Sequence, residues 1–237
     1  MSTPPALRGR AAGLAALYLA AAYVAAMLYF LVGTGQLSVT DPVAKVDLLA
    51  THQLGIHLMY LVAYLGFGLV LVSLVLGLHT RLTTAAPTTA SVATAVGLIW
   101  AGLCIASGMV YLVGMGSVVD LRATDPAAAV AAWQAIEPVS NALGGTGAEL
   151  LGGTWTLLVS LIALRARFLP RWLNGLGVVV GTAGIASTIP GLALGAGILF
   201  GLLQIAWFAG VGIVLLRDHP TAAPQPRTSH RLASAAG

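Results

Sequence analysis

Six apolar runs leave this chain few choices of fold. They cover 11–33, 54–78, 92–114, 142–164, 174–194 and 196–216. Each is close to the ~20 residues that a helix needs to cross a hydrocarbon core. In lipid every backbone polar group must be paired within its own segment, and a helix does that for a single run. The predicted fold class is therefore all-α: an integral membrane bundle of six transmembrane helices, built as one domain over 1–217. Composition agrees, with 58% hydrophobic and 8% charged residues against ~45–50% apolar in soluble domains. The segment 218–237, rich in Pro, Ala, Ser and Arg, reads as a disordered basic cytoplasmic tail. The first run follows Arg8 and Arg10 as a signal peptide would. Its length and the bulky Tyr18, Tyr23 and Tyr29 predict a retained helix instead.

Charge sets the orientation. With six spans, one side collects Arg8, Arg10, Arg81, Arg165, Arg167, Arg171, Arg217, Arg227 and Arg231, and the other has only Lys45 and Arg122. The positive-inside rule places both termini in the cytoplasm. Asp41, Asp47, Asp120, Asp125 and Glu137 all fall on the outer side. The basic excess of 11 to 7 thus lies in short loops and tails, where it sets topology and gives no nucleic-acid signal. The bias to Ala, Gly, Val and Arg points to a bacterial plasma membrane. The one cysteine, Cys104, rules out an intramolecular disulfide and any multi-cysteine metal site.

Two outer segments carry helix-start signals. Asp125 precedes Pro126, an N-cap followed by proline at the first helical position. Val130, Trp133 and Glu137 share a face, so a short interfacial helix is expected between spans 3 and 4, with Trp133 at headgroup level. The same Asp-Pro start recurs at Asp41, and whether 41–53 continues the second span stays open.

Polar residues inside the runs narrow the function. Gln53, His57, Tyr60 and Tyr64 recur at four, three and four residues, as do Trp100, Cys104, Ser107 and Tyr111. Asn141, Gly145, Glu149, Gly152 and Thr156 form a third stripe. Lipid solvates such groups poorly, so the stripes are expected to face one another within the bundle. At ~1.5 Å per residue, Glu149 falls roughly 6 Å outward of the bilayer midplane, near the level of Ser107, with Tyr60, His57 and Tyr111 further out. The candidate pocket residues are Glu149, His57, Tyr60, Tyr64, Ser107, Tyr111 and Trp100. Glu149 is either a protonated acid donating to Tyr60 or Ser107, or a carboxylate paired with His57 or with Arg122 folding in. The alternative for the tyrosines and serine is plain packing, about 0.6 kcal/mol per interhelical hydrogen bond.

Other sites are disfavoured. His57 and His79 occupy one span near opposite faces, which disfavours a bis-histidine heme, and one His with one Glu is fewer than the three protein ligands usual for catalytic zinc. No metal or cofactor is expected. His52 reads as a wet loop residue, His79 as a surface residue at the inner rim, and Gly177, Gly181 and Gly184 as a close-packing face.

The segment "RARFLPRWLNGLGVVVGTAGIASTIPG" (Arg165 to Gly191) resembles the bacterial membrane family catalogued as domain of unknown function 4386. "RAAGLAALYL" (Arg10 to Leu19) looks like that family's first span, and "LLQIAWFAGVGIVLLR" (Leu202 to Arg217) is similar to its last. The outer segment Ala127 to Gln134 departs from the pattern. The resemblance implies six helices, assigns no activity and carries over no functional residue.

Three functions remain. The first is a multi-pass membrane protein that binds or transports a small molecule or a proton through an outward-facing polar pocket. The second is an accessory subunit held by a membrane-protein partner, without chemistry of its own. The third is an intramembrane enzyme acting on a lipid or isoprenoid, with Glu149 and His57 as acid and base. Missing nucleophile and metal motifs make an enzyme the weaker reading. The lipid bilayer is a partner in each case.

Overall fold

A computed structural model describes residues 5–144 and 149–217. The expected tail over 218–237, and Gly145 of the third stripe, lie outside the described residues. Every described element is helical, and no strand occurs among the described residues. Helix α1 (Pro5–Leu28) widens into a π turn at Tyr29–Gly33 and is followed by a 3-10 turn at Gln36–Ser38. Helices α2 (Pro42–Thr51), α3 (Gln53–Tyr60) and α4 (Phe67–Leu82) follow, with a π turn at Leu61–Gly66 joining the last two. Then come α5 (Pro87–Arg122), α6 (Pro126–Gly144), α7 (Leu150–Ala166), α8 (Arg171–Ala186) and α9 (Ala193–Arg217). Among the described residues four helical stretches are long and apolar enough to cross a membrane: Gly9–Gly33, Gln53–Leu82, Pro87–Arg122 and Ala193–Arg217.

Neighbour relations close a ring in which α1 packs on α4, α4 on α5, α5 on α7, α7 on α8, α8 on α9 and α9 on α1. Aromatic side chains fill its centre. Trp155 meets Trp207 edge-on at 5.6 Å, Trp100 lies parallel to Phe208, and Phe67 packs edge-on to Tyr23 at 5.3 Å. The ring's outer surface is apolar, with Leu69, Val113 and Leu194 65–79% exposed. Lipid accepts such a surface, whereas water does not tolerate large apolar patches.

The glycine face of α8 packs as its spacing predicts. Added Cβ atoms at Gly181 and Gly184 would lie 2.8 Å from Gly153 O and 2.7 Å from Gly153 Cα respectively. Backbone thus meets backbone where α7 crosses α8. At the arginine-rich end, α7 stops at Arg167 in the left-handed region (φ 51°), and Pro170 precedes α8. Asn174 Nδ2 donates to Leu169 O across that corner at 3.0 Å, and the Arg81 guanidinium sits 5.0 Å over the Phe168 ring.

The opposite end departs from expectation. α5 runs 36 residues, about 54 Å at 1.5 Å per residue, well past the predicted 92–114. The expected interfacial helix is instead the start of α6, which runs down the side of α5. Trp133 is buried edge-on against Tyr111 at 4.9 Å. The cause is small-residue packing: Ile136 fits against Gly114, while Ser107 and Ser140 bond each other's carbonyl oxygens at 2.8 and 3.0 Å. Pro138 is tolerated inside α6 because it and Gln134, whose carbonyl it leaves free, are both exposed. Of the predicted fourth span, 142–144 belong to α6 and 150–164 to α7, with Glu149 off-helix between them, and 145–148 lie outside the described residues. α8 is shorter than the predicted 174–194 and turns at Ser187.

Segment 41–53 forms its own helix. Asp41 caps α2 by accepting from Ala44 N at 2.8 Å, and His52 is an exposed joint (φ −109°, ψ 18°) leading into α3. α2 packs on α5 and α6 to form a cap around Val46, Leu49, Val118 and Ala129. Two ion pairs tie the cap, Lys45 Nζ–Glu137 Oε1 at 2.9 Å and Arg122 Nε–Asp47 Oδ1 at 2.7 Å. The first is the more sheltered, at 17% and 26% exposure against 44% and 54%. Glu137→Gln should therefore cost up to ~1 kcal/mol in thermal unfolding, and Arg122→Gln should leave the midpoint almost unmoved. A larger loss from Arg122→Gln would refute this ranking.

Candidate functional site

Glu149 is the last residue before α7. Its backbone is off-helix (φ −76°, ψ 11°), and its carbonyl accepts from Gly153 N at 2.8 Å. A Cβ at Gly184 would lie 2.9 Å from that carbonyl oxygen, so the α7–α8 crossing fixes where the residue sits. The side chain does not cap α7. Among the described residues its carboxyl has no hydrogen-bond or ion-pair partner. A negative charge here gains from the amino end of the α7 dipole.

The carboxyl borders a cavity of about 130 Å³. α1 contributes Ala22, Tyr23 and Ala26 to it, and the second span contributes Ala63, Tyr64 and Phe67. Trp100 and Cys104 come from α5, and Gly144 closes the end of α6. Cys104 is 17 residues from the start of α5, about 26 Å, so the cavity lies near that helix's midpoint. The π turn presents Ala63 and Tyr64. In it Val62 O accepts from Phe67 N, five residues on, and from the Tyr18 hydroxyl at 2.9 Å. Such turns occur frequently at functional sites.

A column of rings rises from the cavity. Tyr64 stacks on Tyr60 at 4.6 Å, and Tyr60 on Tyr111 at 3.8 Å. The 3-10 turn after α1 folds back over this column, where Gln36 Nε2 donates to the Tyr111 hydroxyl at 2.6 Å.

Of the predicted pocket residues, Glu149, Tyr64 and Trp100 line the cavity together. Tyr60 and Tyr111 stand one and two rings away. Ser107 is buried but bonded to Ser140, so it does not serve the glutamate. His57 is exposed on α3 and is not part of the cavity. Its neighbour Ile56 takes the buried face with Tyr60, four residues on, and His57 falls on the flank. Arg122 does not fold in, because Asp47 holds it in the cap. His79 is half-buried, with Nδ1 2.7 Å from Thr94 Oγ1, and is not a plain surface residue.

Sequence reasoning missed the α1 wall and Phe67. Tyr23 carried a signal, being the one aromatic at mid-run in the first segment, but a lone ring gives no stripe. Among the described residues no group of three or more His, Cys, Asp and Glu could hold a metal ion. Comparison with known families, curated proteins and solved structures finds no match to this chain.

Proposed function

We propose that the chain is a six-span protein of a bacterial plasma membrane that binds a small molecule, or a proton in exchange for one, at Glu149. The observation that carries this reading is the cavity beside the Glu149 carboxyl, which has no partner among the described residues and sits off-helix just before α7. Intramembrane acids are functional candidates by default. α6 with α7 would supply the fourth span and α8 the fifth. The cytoplasmic placement of both termini and the likeness to domain of unknown function 4386 belong to the same proposal. An enzyme is disfavoured because the acid–base pair of Glu149 and His57 is not assembled.

Cys104 is the chain's one cysteine and lines the cavity, so it reports on access. Purified protein treated with methyl methanethiosulfonate should be modified at Cys104 while folded. Ala26→Phe, which fills the cavity, should slow that reaction at least about tenfold with little change in thermal midpoint. An inert Cys104 in the wild type, or an unchanged rate in Ala26→Phe, would remove the reading. In proteoliposomes, Glu149→Gln should keep the labelling rate and lose protein-dependent solute or proton flux.

A further inference from the structure

The walls of the cavity say more about its ligand than its acid does alone. Glu149 faces Tyr23, Tyr64, Phe67 and Trp100, with no Lys, Arg or His among the lining residues. A carboxylate so placed needs a countercharge, and the described residues provide none. A metal ion would need more oxygen or nitrogen ligands than one carboxylate and two phenols supply. Aromatic rings, in contrast, attract weakly hydrated organic cations through their negative faces. The volume of about 130 Å³ equals roughly four waters at ~30 Å³ each. That space suits a cation of about five non-hydrogen atoms.

From this juxtaposition we infer that the Glu149 cavity is a binding site for a compact organic ammonium ion, neutralised by the carboxylate and enclosed by the four rings. The inference rests on the reading of the cavity as a ligand site and names the ligand class. A proton and the cation then compete for one carboxylate. The titratable groups facing it are Tyr23 from α1, Tyr64 from the second span and Cys104 from α5. None of these is cationic, so binding weakens as the pH falls through the titration of Glu149, approaching about tenfold per pH unit.

The test uses radiolabelled tetramethylammonium and full-length protein in nanodiscs, with protection of Cys104 from methyl methanethiosulfonate as a second readout. Saturable binding of one tetramethylammonium per chain is expected, with parallel protection of Cys104. Glu149→Gln should weaken binding at least about tenfold, and Glu149→Asp should retain part of it. Tyr64→Leu should weaken it severalfold. Sodium at equal ionic strength should not protect.

Equal protection by tert-butanol, a neutral molecule of the same shape, would overturn the cation assignment. So would tetramethylammonium binding that is indifferent to Glu149→Gln, or no binding at all while Cys104 still reacts. In those three cases the accessible cavity survives. A Cys104 that never reacts defeats the underlying reading instead.

Discussion

Gly153→Val is expected to push α7 off α8 and to lower stability by about 3 kcal/mol, the upper end of the usual overpacking cost. A Cβ at this position would lie 2.8 Å from Gly181 O and from Gly184 Cα, and backbone atoms cannot swing aside as a side-chain tip can. Close backbone approach through small residues is a main source of helix association in lipid, where apolar burial drives little. Thermal unfolding in detergent should show a midpoint fall of roughly 6–12 °C, from ~2–4 °C per kcal/mol at this chain length. Gly102→Ala is the matched control. Apart from its own helical turn, no atom lies within 4 Å of its Cβ position, so helix propensity alone acts, and stability should hold or rise by up to ~1 kcal/mol. Because Gly184 also abuts the Glu149 carbonyl, Gly153→Val should alter the Cys104 reaction rate as well. Equal midpoints for Gly153→Val and wild type would show that the crossing is looser than described.

The second large effect is at Trp155. It is fully buried and packs on Trp100, Trp207 and Phe208 with ring centroids 5.6–6.4 Å apart. Trp155→Ala should cost about 3–5 kcal/mol, since the void removes packing from several rings at once. Trp100 lines the cavity, so the void adjoins it, and Cys104 should react faster. Trp172 provides the contrast. At 65% exposure, its replacement by Ala should move stability by no more than ~0.5 kcal/mol. Similar losses at the two positions would mean that the ring's aromatic centre is not the stabilising core.

The apolar runs were legible because a membrane solvent demands them, and so was the Gly177–Gly181–Gly184 face, which has helical spacing. The reach of α5 was not. Beyond Gly114 its sequence turns polar at Ser117, Asp120 and Arg122, the composition of a loop. The helix continues because α2 and α6 cover its other side and Asp47 pairs with Arg122. The off-helix backbone of Glu149 was hidden for a related reason. Glycines on both sides of it suit either a tight crossing or an off-helix residue, and spacing cannot distinguish the two. The tyrosine stripe predicted the stack of Tyr60, Tyr64 and Tyr111 as neighbours. It also swept in His57, because period alone does not say where a face ends. Tyr23 escaped notice since a cavity wall needs only one residue from each helix, and one residue has no period.

α5 has a practical consequence for imaging. A 24 kDa chain sunk in a micelle offers few features by which single particles can be aligned. This helix passes unbroken from one end of the molecule to the other, and α2 and α6 brace its far tip. An antibody fragment clamped on that tip would turn with the whole protein as one piece, giving electron microscopy the fiducial that so small a target lacks.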